Sequence, residues 1–155
     1  MSGMYQVELY DVGDVASPSI YARFKMNRVN QCRPAIAIEI HCNAAADPKP
    51  NYGEVIYYKD SVVGRAVAEH VAAAVKAGFA AKGMVGPWHG ARANTVALDK
   101  DLFFFLEDSI VPAIIVEGMF ISNPHQAVYL STGGAEDYGI AVADGVMSWL
   151  RANPA

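Results

Sequence analysis

Three polar residues stand at alternate positions near the end of one apolar run. They are Glu39, His41 and Asn43 in Ala35-Ile36-Ala37-Ile38-Glu39-Ile40-His41-Cys42-Asn43. Under the two-residue period of a strand, all three project from one face. A second apolar run, Ala113-Ile114-Ile115-Val116-Glu117, also ends in a carboxylate. If the two strands are neighbours, His41 and Glu117 face one crevice. A neutral imidazole is the commonest zinc ligand, and a carboxylate beside a metal-activated water is the usual general base of a metallohydrolase. Singly, each has a plainer reading: His41 as a hydrogen-bonded histidine at a strand end, Glu117 as a helix cap or loop anchor. Their joint placement favours a functional pair, because open α/β sheets form ligand crevices at the carboxyl ends of their strands.

Glu39 leaves three readings open. It can orient the imidazole two residues on, ligate a metal itself, or pair with an arginine such as Arg23 or Arg28. His89, between Trp88 and Gly90 in an expected loop, is open to ligand or metal. His70 lies within a helical pattern and reads as a surface or half-buried residue, while His125 follows Pro124 at a helix start and reads as structural. No glycine-rich phosphate loop occurs, and the Gly-x-Ser-x-Gly of a serine hydrolase is absent.

The elements that must position these groups alternate between strand and helix. Gln6 to Tyr10 reads as a short strand, and Asp11 to Pro18 is turn-rich. Ser19 to Gln31 follows as a helix burying Ile20, Phe24 and Val29. After the Ala35–Asn43 strand and a loop at 47–53, Glu54 to Tyr58 is a strand rich in β-branched and aromatic residues. Asp60 or Ser61 caps a helix running to about Ala81, with Val63, Ala66, Val67, Val71, Ala74, Val75 and Phe79 on its apolar face. Met84 to Asp101 is mostly loop, and Leu102 to Leu106 reads as a dense apolar strand. A short helix near His125 to Leu130 and an amphipathic one from Ala135 to Leu150 close the chain. This order predicts an α/β fold: one three-layer domain over residues 1–155, with a mainly parallel twisted sheet and helices on both faces.

With 155 residues, 53% of them hydrophobic and 18% charged, the chain can bury a single core of about 70% of its unfolded surface. A net charge of −4 without a basic block argues against nucleic acid or an anionic membrane as partner. No apolar stretch reaches the roughly 18 to 20 residues of a membrane span, and Met1 to Tyr10 lacks the pattern of a secretory signal. Cys32 and Cys42 flank the strand, about 30 Å apart if the chain is extended, which argues against a bridge between them.

Three blocks together resemble the N-acetylmuramoyl-L-alanine amidases of the amidase-3 type, found in bacterial cell-wall hydrolases and phage endolysins. They are Glu39-Ile40-His41-Cys42-Asn43-Ala44, Gly53-Glu54-Val55-Ile56-Tyr57-Tyr58, and the stretch from Pro112 to Pro124. The resemblance runs from about Tyr5 to Leu150, and Leu98 to Leu106 fits the strand that precedes the family's last motif. It implies a zinc-dependent peptidoglycan hydrolase that cuts the amide between N-acetylmuramic acid and L-alanine. His41 then matches the last zinc-binding histidine, and Glu117 the catalytic glutamate that activates water. It also implies a muramoyl-peptide substrate and action on the cell wall, in the periplasm or outside the cell, with phage-type release as one route.

The resemblance has gaps. The family's opening Gly-His-Gly-Gly strand and the helix glutamate after it, which supply the first two zinc ligands, have no counterpart here. The chain starts near the family's second strand, as an N-terminally truncated member would. Glu39, Glu54 and His89 are the candidates to complete the zinc site. Without them the expectation is a catalytically inactive, peptidoglycan-binding or regulatory relative. A sheet lacking its first strand also predicts self-association through an exposed edge. Glu39 stands where many members have Ser, and Gly118-Met119-Phe120 where a glycine directly before the Phe is more usual.

Overall fold

The fold grows outward from β4 (Ala113–Phe120), an eight-residue strand buried along its whole length. β1 (Ala37–Asn43) runs parallel to it on one side and β2 (Gly53–Tyr57) antiparallel on the other. β3 (Trp88–Ala93) lies parallel to β2, so the sheet order is β1-β4-β2-β3. The computed structural model describes residues 6–8, 18–84, 86–94 and 100–154. Among these, β1 and β3 are the outer strands, and Ile40 of β1 is half exposed. This is a single α/β domain with a mixed, mostly parallel open sheet.

Alternation along β4 sorts its side chains between two helical layers. Ile114 and Val116 pack with Val67, Val71 and Val75 of α2 (Val62–Ala81) and with Tyr138, Ala141 and Val142 of α5 (Ala135–Ala152). Ala113 and Ile115 face the other way, with Met26 of α1 (Pro18–Cys32) and Phe105 and Leu106 of α3 (Lys100–Glu107). The expected three layers are therefore present. α2 forms as its sequence predicts: Ser61 caps it by accepting the Gly64 N–H at 3.0 Å, and its buried positions recur at three- and four-residue steps. Asn123 caps α4 (Pro124–Tyr129), and a π-type turn at Leu130–Gly134, with Gly133 at φ 109°, leads into α5.

Three sequence expectations change. Leu102 to Leu106 lies in α3 and is helical, as is the described part of the Leu98–Leu106 stretch. A run of five apolar residues does not distinguish a buried strand from a buried helix turn. Within the expected loop, Trp88 to Ala93 forms β3, whose mixed composition hides it. On α1, Phe24 is 67% exposed while Met26 is buried and Val29 packs beside its cluster; the side chain of Ile20 lies outside the described residues. Of the expected strand Gln6–Tyr10, residues 6–8 carry no regular structure and the rest lies outside the described residues, as does the turn-rich stretch as far as residue 17. No described helix is long and apolar enough to cross a membrane.

The seam between α2 and α5 is backbone-close at Gly145. A Cβ there would sit 2.5 Å from the Val71 Cα. Alanine gains about 1 kcal/mol over glycine in helix propensity, but no rotamer change relieves a clash with backbone. Overpacking of this kind costs about 1–3 kcal/mol. Gly145→Ala is therefore expected to lower the urea midpoint, and an unchanged or higher midpoint would contradict this packing.

Candidate active site

Strand register brings the expected pair together. His41 on β1 is the direct neighbour of Glu117 on β4, and Glu54 on β2 is its neighbour on the other side. The row His41–Glu117–Glu54 thus crosses three adjacent strands at one level. It lies on the α1/α3 face, two residues along from Ile115 on β4 and two before Ile56 on β2. The His41 side chain is 42% exposed, whereas those of Glu117 and Glu54 are nearly covered. The row is therefore open to solvent at its histidine end.

Each acid in the row has a different environment. Glu54 is held by Arg92 of β3, whose Nε and Nη2 donate to its two oxygens at 2.7 and 2.9 Å. This fork raises the guanidinium pKa further. His89 Nδ1 lies 3.6 Å from the same carboxylate, and its ring stacks on Tyr52 with centroids 4.3 Å apart. Glu39 pairs with Lys25 of α1 through one oxygen and approaches His41 Nε2 at 3.2 Å through the other. Glu117 differs from both: its Oε2 is buried and has no hydrogen-bond partner. Burial pushes its carboxyl pKa up and Glu54 adds to the rise, while His41 opposes it. Burial likewise lowers the His41 pKa and Lys25 adds to that, against Glu117, so the neutral imidazole is favoured.

The backbone here is irregular. From His41 to Asn43, β1 advances two residues while β4 advances three, from Glu117 to Phe120. The carboxyl end of β4 is pinned by Gln126, whose Oε1 accepts the Phe120 N–H at 2.7 Å. Gly118 presses on Tyr138: a Cβ at 118 would meet its ring at 2.6 Å, so the glycine is a packing requirement of this strand end. Burial pushes the Tyr138 phenol far above its ordinary pKa, and its hydroxyl keeps the proton.

Of the sequence candidates, the fold gathers His41, Glu117, Glu39 and Glu54 and places His89 at their margin. The pairing of Glu39 with a cation is present, with Lys25 as a partner, and so is its contact with the imidazole. Glu117 is no helix cap; Asn123 caps the helix that follows. Asn43 uses its side chain locally, accepting the Ala44 N–H at 2.8 Å. His70 is half-buried, as expected, and bonds Ser148 on α5. Sequence reasoning missed the roles of Lys25, Arg92, Tyr52 and Tyr138. Only the isolated Arg92 beside His89 hinted at one of them.

Zinc fits this donor set on one side only. A neutral-favoured imidazole adjoins a buried carboxylate oxygen lacking a partner, and Glu39 stands within 3.2 Å of the imidazole. Among the described residues, no group of three His, Cys, Asp or Glu is arranged to hold a metal ion. Lys25 and Arg92 occupy the carboxylates of Glu39 and Glu54.

Fold and site define an α/β domain with a histidine–carboxylate pair at the carboxyl ends of adjacent parallel strands. Residues 2–148 match the Amidase_3 family, N-acetylmuramoyl-L-alanine amidase, and the chain belongs to that family. The N-acetylmuramoyl-L-alanine amidase AmiC2 of Nostoc punctiforme has the same fold, with 21% identity and a TM-score of 0.67 over 83% of this chain and 65% of that one. An N-acetylmuramoyl-L-alanine amidase from Clostridium difficile 630 has 20% identity and a TM-score of 0.71, over 85% and 66%. The catalytic domain of the CD27L endolysin targeting Clostridia difficile has 24% identity and a TM-score of 0.68, over 92% and 71%. At these identities the likeness is one of fold. The chain spans just under two thirds of the length of the first two structures. No curated protein sequence matches it.

Proposed function

We propose that this chain is a cell-wall amidase cleaving the bond between the lactyl group of N-acetylmuramic acid and L-alanine of the stem peptide. The observation that carries the reading is the Glu117 oxygen, buried without a partner in the strand position beside His41. Family membership supports the substrate class. Glu117 takes a proton from water as the water oxygen bonds to the amide carbon. It then returns that proton to the L-alanine nitrogen as the C–N bond breaks. His41 lines the open end of the row, and Glu39, backed by Lys25, fixes its imidazole. A zinc ion would be held by His41, with the Glu39 oxygen that approaches its imidazole as the adjacent donor. Bound there, it supplies Lewis-acid polarisation of the amide carbonyl. The site of action is the cell wall, reached in the periplasm or from outside.

A second reading is an inactive, peptidoglycan-binding or regulatory relative, and the lack of a third described metal donor favours it. Incubation with purified peptidoglycan separates the two. New L-alanine amino termini, lost on chelation and restored by zinc, support the amidase. Sedimentation with the wall without new amino termini supports the binding protein. Self-association through the β1 edge is a further part of the proposal: light scattering is expected to show mass rising with concentration, and a constant monomer would contradict it.

A further inference from the structure

His41 and Glu117 are neighbours across β1 and β4 where the two strands fall out of step, and one hydroxyl spans that irregularity. Tyr138 of α5 accepts the Gly118 N–H at 2.7 Å, and its oxygen lies 3.1 Å from the carbonyls of both Val116 and His41. A phenol carries one proton, which it shares between the two carbonyls. The bonds therefore bracket Glu117 on both sides and reach the backbone of His41. Bulged strands leave ladder groups unpaired and re-aim the side chains beside them. Here the tyrosine supplies the missing partner. Its ring is 3% exposed and packs against Phe79 at 5.3 Å between centroids. The absence of a Cβ at Gly118 lets that ring lie directly against the strand.

The geometry points to Tyr138 as a positioning residue for amide cleavage: its hydroxyl fixes the backbone around Glu117 and His41 so that their side chains stay aligned across the strand irregularity. It touches no substrate and acts through the two residues it holds. This inference rests on the reading of His41 and Glu117 as the reacting pair. Misplacing a catalytic group by about 1 Å can cost up to about a hundredfold in rate. The loss should therefore fall on kcat and spare KM.

A matched control exists in Tyr129, whose hydroxyl bonds Asp137 at 2.8 Å away from β1 and β4. Tyr138→Phe is expected to lower kcat on a muramoyl-L-alanyl peptide about ten- to a hundredfold, with KM little changed. Tyr129→Phe is expected to leave both near the parent values. NMR of the full 15N-labelled chain gives an arm that needs no activity. In Tyr138→Phe the Gly118 amide should shift upfield and exchange faster, and the His41 ring signals should move; Tyr129→Phe should show neither change. An unchanged kcat, or unmoved Gly118 and His41 signals, overturns the inference. If the parent cleaves no amide, the functional proposal fails while the NMR arm still decides the tyrosine's role. In the parent alone, a Gly118 amide exchanging at the rate of open solvent overturns it without any variant.

Discussion

Glu117→Gln is expected to reduce turnover about a thousandfold and, in the metal-free chain, to make the fold more stable. The two effects share one cause. At neutral pH the Glu117 carboxylate keeps a buried oxygen without a hydrogen bond. A buried, unsatisfied polar group costs about 1–3 kcal/mol, and a charged one costs more than a neutral one. Glutamine keeps the shape and removes the charge, so a gain of about 1 kcal/mol is expected in urea denaturation. Its pH dependence has a definite sign. The carboxyl pKa is raised in the folded chain, so the penalty is absent below the ordinary carboxylate pKa. It grows as pH rises through that value and is complete above the raised one. The advantage of the glutamine variant should therefore vanish in acid. Equal stability at pH 7, or turnover surviving the substitution, would count against Glu117 as the base.

The second large effect is on stability and falls on Arg92. Its two hydrogen bonds neutralise Glu54, a carboxylate whose side chain is only 6% exposed. Breaking one side of a buried pair typically costs about 3–5 kcal/mol. Arg92 is itself 34% exposed, and solvent screening brings the expected loss for Arg92→Met to about 2–3 kcal/mol. Replacing both partners, as in Arg92→Met with Glu54→Gln, should recover most of it, because no buried charge is then left alone. The site should respond as well. Glu54 already raises the Glu117 pKa, and without its arginine it should raise it further. The base must be ionised to act, so the acid limb of the pH–rate profile should move to higher pH in Arg92→Met. An Arg92→Met chain with the parent's urea midpoint would show that this pair contributes nothing.

The parts of this molecule that could be read without coordinates are those governed by local periodicity. Ser61 and the apolar spacing through Phe79 mark the bounds of α2 closely, because caps act within a few residues. The alternation of Glu39 with His41 places the two on one face of their strand, where they lie 3.2 Å apart. What periodicity does not carry is which strands adjoin. Register across β1, β4 and β2 is set by packing between distant segments, so Glu54 could be named as a candidate without its place beside Glu117. Leu102 to Leu106 is as apolar as a strand core, and only its contacts make it a helix. Lys25 and Tyr138 sit on helices at positions no spacing rule singles out. They matter because tertiary packing delivers them to Glu39 and to the strand irregularity.

A double-mutant cycle on muramoyl-L-alanyl peptide hydrolysis, using His41→Ala, Glu117→Gln and the two combined, tests the site most directly. Groups that act as one unit lose most of the rate when either is removed. The predicted result is a double variant no slower than the worse single one. Losses that multiply, or a rate that survives either change alone, would contradict the claim that the two side chains work on the same reacting bond.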